Sequence, residues 1–129
     1  MPGPGGPPFV AGFDHVQLAL PPGGEERARA FYGAVLGMTE LPKPPALAAR
    51  GGCWFASGDA VLHLGVEQDF RPARKAHPGL RVAHGALDAL AARLTEAGAP
   101  VRWDEAVPDV RRFHSADPFG NRLEFLRPL

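Results

Sequence analysis

The sequence predicts an α+β fold built from two βαβββ modules. Several short segments alternate apolar and polar residues, as strands do, and two segments repeat apolar residues at helical spacing. The whole pattern then repeats: His15 and His77 stand 62 positions apart, and His63 and Glu124 stand 61 apart, each pair at matching places in the two halves. Each half has a helix for only one face of its sheet, so each half needs the other to complete a core.

The first module is predicted to span about residues 13–66. Its first strand alternates from residue 13 to 20, and a helix follows over about 25–36, with acidic residues at its start and Gly37 as its stop. The proline-rich segment 42–50 is predicted to be a loop. Three further strands complete the module, over about residues 38–41, 52–56 and 60–66.

The second module is predicted to span about residues 77–127, after a polar connector over 67–76. Its first strand, 77–82, alternates as the strand at residue 13 does, and Gly98 ends a helix that follows. That helix is marked by Leu87, Leu90, Ala91 and Leu94, and three strands follow over about residues 101–103, 110–116 and 122–126.

Composition limits the class of protein. Lys and Arg number 14 and Asp and Glu number 14, so the chain has no excess basic charge for nucleic acid or a membrane surface. No apolar run approaches the roughly 20 residues of a membrane span. Residues 1–8 lack the basic start and apolar centre of a signal peptide and are expected to be a flexible tail, leaving a single domain over 9–129. Cys53 is the only cysteine, which excludes an internal disulfide and fits the reducing cytoplasm.

The segment Asp117-Pro118-Phe119-Gly120-Asn121 has the composition of a turn, and a strand follows it. In that strand Leu123 and Phe125 share one face, which leaves Glu124 on the other. If the apolar pair packs on a helix, the carboxylate of Glu124 points into the space around which the sheet curves.

Four residues stand at matched positions of the two halves. His15 and His77 lie on the first strands and His63 and Glu124 on the last, each opposite the apolar positions that are expected to face the helices. Three imidazoles and a carboxylate on a shared concave side would suit a divalent metal such as Zn, Fe, Ni, Co or Mn. A nitrogen and oxygen set without a thiolate favours a site with open positions for water or substrate.

These motifs resemble the vicinal oxygen chelate superfamily, which includes glyoxalase I, bleomycin-resistance proteins, fosfomycin-resistance enzymes, extradiol dioxygenases and methylmalonyl-CoA epimerase. The resemblance runs from about residue 13 to 126, and its most specific part is the turn at 117–121 with the strand around Glu124. It implies a glyoxalase-like domain whose modules form a cupped, barrel-like mixed sheet with the helices outside. The other matching segments are Asp14-His15-Val16, Phe31-Tyr32 with Val35-Leu36-Gly37, Leu62-His63-Leu64 and His77-Pro78-Gly79-Leu80.

The resemblance also implies roles for the matched residues. His15, His77 and Glu124 correspond to the metal ligands, and His63 stands at the position of a fourth ligand, where a carboxylate is more usual. Glu124 is the only carboxylate that can be placed in the site, so proton transfer would fall to it or to a metal-bound water. A homodimer is implied as well, with the ligands meeting either within one chain or across two.

Two residues are candidates for substrate binding. Gln17 shares the face of His15 and is expected to touch substrate or orient a ligand. Arg81 shares the face of His77, where it would clamp an anionic substrate. In the competing interpretation Arg81 pairs with Glu124 and the pocket holds no metal. His114 is a further candidate to line the cavity, although the strand phase around it leaves this open.

Two function classes follow. The first is a divalent-metal enzyme, a lyase, isomerase, transferase or dioxygenase, that acts on a small oxygenated or anionic metabolite. The second is a metal-free binding protein like those that sequester bleomycin. A binder of that cationic drug is expected to have an acidic crevice and has no need of histidines at the ligand positions. The neutral charge and the retained ligand positions favour the enzyme.

Overall fold

A computed structural model describes residues 5, 6 and 8–129, so most of the predicted tail lies outside the described residues. The first half contains strands β1 to β4, which are Val16–Leu20, Thr39–Leu41, Cys53–Ser57 and Ala60–Val66. The second half contains β5 to β8, which are Gly79–Arg81, Arg102–Asp104, Val110–Ala116 and Arg122–Pro128. The helices are α1 (Glu25–Ala28), a π-helical segment (Arg29–Val35), α2 (Pro45–Ala48) and α3 (Leu87–Glu96). None of the helices in the described part of the chain has the length and apolarity to span a bilayer.

The two halves have the same sheet topology. The first sheet has the strand order β1-β4-β3-β2 and the second has the order β5-β8-β7-β6. In each sheet the first and last strands of the half are parallel neighbours and the remaining pairs are antiparallel. The predicted α+β class is therefore confirmed. Within the described residues the two sheets stay separate and do not close into a barrel.

Most predicted elements occur close to their expected positions. The strands Ala60–Val66 and Val110–Ala116 have the predicted bounds. The helix predicted over 25–36 occurs as α1 followed by the π-helical segment, and the expected loop at 42–50 contains the short helix α2. The strand β5 begins at Gly79, so His77 precedes it.

A single core joins the two halves. The strands alternate, so one face of each sheet packs against the helices while the other face points away from the core. The largest fully buried side chains are Leu20, Tyr32, Phe55, Leu62, Leu64, Leu94, Phe113 and Leu123. The opposite faces, half-buried or exposed, carry the polar and aromatic residues that concern function.

A buried hydrogen-bond network connects the halves at the turn before β8. One carboxylate oxygen of Asp117 accepts hydrogen bonds from the backbone N–H groups of Phe119 and Asn121, both at 2.9 Å. The other oxygen accepts from the hydroxyl of Tyr32 at 2.7 Å and from the side-chain amide of Asn121 at 2.8 Å. That amide also donates to the carbonyl of Ala19 at 2.8 Å. The first helix and the end of β1 are thus fastened to the turn.

The network makes a prediction for Tyr32→Phe, which removes one donor to a buried carboxylate. Burial, and then the charge of Asp117, raise the pKa of Tyr32 well above its usual value, so the hydroxyl is the donor. We expect a loss of about 1.5–3 kcal/mol in the free energy of unfolding, measured in urea, because a hydrogen bond to a charged group is lost. The control is Thr39→Val, which removes an exposed hydroxyl and should change stability by less than about 0.5 kcal/mol. Equal effects of the two substitutions would contradict the prediction.

Cys53 offers a second test of the core. Its side chain is 1% exposed, and burial raises the pKa of the thiol to about 11. The thiolate is the reactive form, so we expect Ellman's reagent at pH 8 to modify the folded protein at least ~100-fold more slowly than the protein in urea. Equal rates in the two states would show that this strand is open to solvent.

Candidate metal centre

Three potential ligands meet on the outward face of the second sheet. His77, His114 and Glu124 each offer one ligand atom, and these atoms all lie within 4.8 Å of one another. The strand register brings these three residues together. On β7, His114 lies directly opposite Glu124 of β8, and on the other side of β8, Gly79 of β5 lies opposite Glu124. His77, two residues before Gly79, is thereby brought to the same carboxylate.

Both ring nitrogens of His77 face oxygen atoms. Nδ1 lies 2.9 Å from the carbonyl oxygen of Lys75, and Nε2 lies 3.0 Å from Oε1 of Glu124. A carbonyl can only accept, so Nδ1 carries a proton, and in a neutral ring Nε2 would then present a lone pair to the carboxylate. Two lone pairs at this distance repel each other, so a proton or a metal ion must lie between them.

Arg112 is the arginine that pairs with Glu124. Its Nη1 donates to Oε2 of Glu124 at 3.1 Å, and its Nη2 donates to Asp104 at 2.9 Å. The pair of Arg81 with Glu124 that the competing interpretation required is not found, because Arg81 is exposed and forms no ion pair among the described residues. Arg112 stands diagonal to Glu124 on the antiparallel strands β7 and β8, within reach of a long side chain. Arg81 also stands opposite Leu126, on the other side of β8, so the difference lies in the side chains: that of Arg112 is half-buried against Glu124, whereas Arg81 is exposed.

The surroundings of Glu124 favour its ionised form. Its side chain is 13% exposed, and this burial would by itself raise the pKa of the carboxyl group. Hydrogen bonds from His77 and Arg112, and then the charge of Arg112, outweigh burial and lower the pKa below its usual value. Glu124 is therefore a carboxylate at neutral pH, suited to bind a cation or to accept a proton.

The first sheet holds a stack of three aromatic rings. The rings of His15 and His63 lie 4.0 Å apart at 16°, and those of His63 and Trp54 lie 4.0 Å apart at 7°. Burial, and then the proximity of His15, lower the pKa of His63, so this ring is neutral at neutral pH. Nδ1 of His15 lies 2.8 Å from Asp14, so a neutral ring that donates there leaves Nε2 free as a ligand. Gln17 is exposed, directly opposite His63.

Within one chain the predicted site residues thus fall into two groups. His77 and Glu124 meet on the second sheet, and His15 and His63 meet on the first. From the sequence, His114 was a candidate to line the cavity, and Arg112 was assigned no role. The alternation along β7 is the signal that could have found them: it buries Phe113 and Ser115 and so places Arg112 and His114 on the same side as Glu124.

A cavity of about 480 Å³ lies next to the second group, at the edge strand β6. It reaches Asp104 and Arg112, the residues that support Glu124, but none of the predicted site residues lines it. Its other lining residues are Asp88, Trp103, Glu105, Val107, Pro108, Val110, Arg111 and Leu129.

The fold and this donor group define a protein with two repeated modules and a candidate metal centre on the outward face of the second. Residues 21–126 match the family model described as glyoxalase-like domain. The chain therefore belongs to the glyoxalase-like family, within the vicinal oxygen chelate superfamily. No curated protein matches it.

Solved structures agree with this assignment. A glyoxalase family protein from Bacillus anthracis is 50% identical, with a TM-score of 0.89 over 95% of this chain and 98% of that one. A mutant of the fosfomycin resistance protein FosX from Listeria monocytogenes, complexed with Mn(II) and 1S,2S-dihydroxypropylphosphonic acid, is 13% identical with a TM-score of 0.76, covering 94% and 95%. Lactoylglutathione lyase from Agrobacterium tumefaciens is 22% identical with a TM-score of 0.63, covering 93% and 94%. At these lower identities the likeness shows the fold.

The pairing of Arg112, and not Arg81, with Glu124 can be tested by NMR titration of the metal-free protein. Arg112→Gln should raise the pKa of Glu124, because a hydrogen bond and a positive charge that favour the carboxylate are lost. Arg81→Gln, a matched change on an exposed arginine, should leave that pKa as it is in the unaltered protein. If Arg81→Gln raised the pKa of Glu124 and Arg112→Gln did not, Arg81 would be the partner of Glu124.

Proposed function

We propose that this protein is a metal-dependent enzyme that acts on a small oxygenated or anionic metabolite. The observation that carries the proposal is the position of His77, whose two ring nitrogens both face oxygen atoms, with His114 beside them. The carbonyl of Lys75 holds the ring so that Nε2 points at Glu124, an arrangement typical of histidine ligands held by a second hydrogen bond.

The donor set fits a divalent ion of the first transition row. Imidazole nitrogen and carboxylate oxygen suit Mn, Fe, Co, Ni and Zn, and no thiolate is present to favour a closed structural site. Such an ion would stabilise negative charge that develops on a substrate oxygen. Of the relatives named above, FosX is the one described with Mn(II).

We propose His15, His77 and Glu124 as metal ligands, with His63 beside them. His15 directly precedes β1 of the first sheet. A homodimer is therefore part of the proposal: the first sheet of one copy would face the second sheet of another. The side chain of His15 is 40% exposed, and the outward faces of both sheets carry the predicted site residues. A dimer of this kind would bring the modules, predicted at about 13–66 and 77–127, into one cupped site.

The remaining roles follow from charge and position. Glu124 is ionised, so it would bind the metal or take a proton from substrate, and Arg112 would hold it in place. Gln17 and Arg81 are exposed on the two outward faces, where their amide and guanidinium groups would donate to substrate oxygens. These donors favour a substrate with a carboxylate, a phosphonate or adjacent oxygens.

The cytoplasmic location expected from the single cysteine remains a prediction.

A metal-free binding protein is the second candidate, and one observation favours it. His77 and Arg112 together occupy both oxygens of Glu124, which satisfies a protonated histidine and the carboxylate without a metal. In that case the outward faces would bind a small molecule through hydrogen bonds and the stacked rings of the first sheet.

Metal content separates the two candidates. We expect untagged protein, purified without chelator, to contain near-stoichiometric metal by elemental analysis. The Glu124→Gln variant should lose the ion because a neutral amide replaces an anionic ligand. The His15→Ala variant should contain less metal than the unaltered protein. Metal retention should also weaken as pH falls, because protons compete for the histidine nitrogens.

The control is His84→Ala, which removes an exposed histidine outside both groups. Its metal content should equal that of the unaltered protein. No metal in the unaltered protein, even after reconstitution with Mn, Fe, Co, Ni and Zn, would overturn the enzyme proposal and favour the binding protein.

A further inference from the structure

We propose that His114 is itself a metal ligand, so that the second module holds the ion with three of its own side chains, His77, His114 and Glu124. The inference rests on the proposed metal site and goes beyond it. The family resemblance implies His15, His77 and Glu124 and gives His114 no role.

The two imidazoles converge on a single carboxylate oxygen. Nε2 of His77 lies 3.0 Å from Oε1 of Glu124, and Nε2 of His114 lies 3.7 Å from the same atom. Donors bound to one ion at about 2.0–2.2 Å stand roughly 3–3.6 Å apart, so only small side-chain movements are needed. The other oxygen, Oε2, is held by Arg112 and lies outside this convergence.

Ring orientation supports ligation in preference to packing. The rings of His77 and His114 are 5.6 Å apart and inclined at 74°, so they do not stack. In the first sheet, by contrast, His15 and His63 stack face to face at 4.0 Å. Nitrogen lone pairs lie in the plane of the ring, so an inclined pair can direct both lone pairs to one point, whereas parallel stacked rings direct theirs along separate planes.

The internal repeat shows why only one module has this capacity. Trp54 lies directly opposite His63 in the first sheet, as His114 lies directly opposite Glu124 in the second. The matched positions therefore carry an indole in one module and an imidazole in the other. Indole nitrogen donates a hydrogen bond and offers no lone pair to a metal. The outward face of the first sheet thus carries stacked aromatic rings, and the equivalent face of the second sheet carries the three proposed ligands.

The supporting contacts keep the ligands in place. Arg112 donates hydrogen bonds to both Asp104 and Glu124. The carbonyl of Lys75 accepts a hydrogen bond from the ring of His77. Outer contacts of this kind orient ligands and raise metal affinity. The site would therefore exist in a single chain, before any second copy contributes His15.

The test is a titration of the full-length, chelator-stripped protein with Co²⁺, followed by its visible absorption. The variant is His114→Gln, with His84→Gln as the matched control at an exposed histidine. We expect His114→Gln to weaken Co²⁺ binding by more than about 100-fold, beyond the 10–100-fold typical of a residue that only orients a ligand. The absorption bands of the bound ion should also change, because one nitrogen ligand is lost. His84→Gln should change neither.

A Co²⁺ spectrum that His114→Gln leaves unchanged would overturn the inference, whatever the affinity. If His77→Gln and Glu124→Gln abolish binding while His114→Gln leaves both the affinity and the spectrum unchanged, the proposed function stands and this inference fails. If the unaltered protein binds no Co²⁺, both fail. Circular dichroism checks that each variant is folded, and His114→Asn repeats the measurement if the glutamine variant does not fold.

Discussion

The structure depends on one buried carboxylate, that of Asp117. An ionised group inside a protein costs several kcal/mol unless hydrogen bonds replace its hydration. Four donors do so here, and one of them, the hydroxyl of Tyr32, comes from the helix of the other half. Asn121 extends the connection to the end of β1. This network sets the start of β8 relative to the first module and so fixes where Glu124 stands.

Strand alternation turns that position into a site. The same pleat that buries Leu123 and Phe125 directs Glu124 away from the core, and β7 does the same for Arg112 and His114. The first module uses the identical topology for a different outcome, a stack of aromatic rings. The two modules therefore share one framework and equivalent inward-facing apolar positions, and they differ at a few outward-facing positions.

The two carboxylate oxygens of Glu124 have different partners. Arg112 neutralises Glu124 through Oε2, while Oε1 is left to the imidazoles of His77 and His114. A divalent ion at Oε1 would therefore take the place of a proton without breaking the arginine pair. The arginine also disfavours protonation of the carboxylate, which keeps a negative ligand available at neutral pH. This division lets one glutamate serve structure and chemistry together.

The sequence by itself determined the α+β class, the repeat, the strands Ala60–Val66 and Val110–Ala116 and the outward direction of Glu124, because all of these follow from local periodicity. Tertiary structure decided which residues meet. Arg112 pairs with Glu124, and His114 stands beside His77 and Glu124, whereas within one chain His15 lies against His63. These meetings depend on the register of β8 with its neighbours β5 and β7, and alternation along one strand gives the face of a residue but not the residue that comes opposite it.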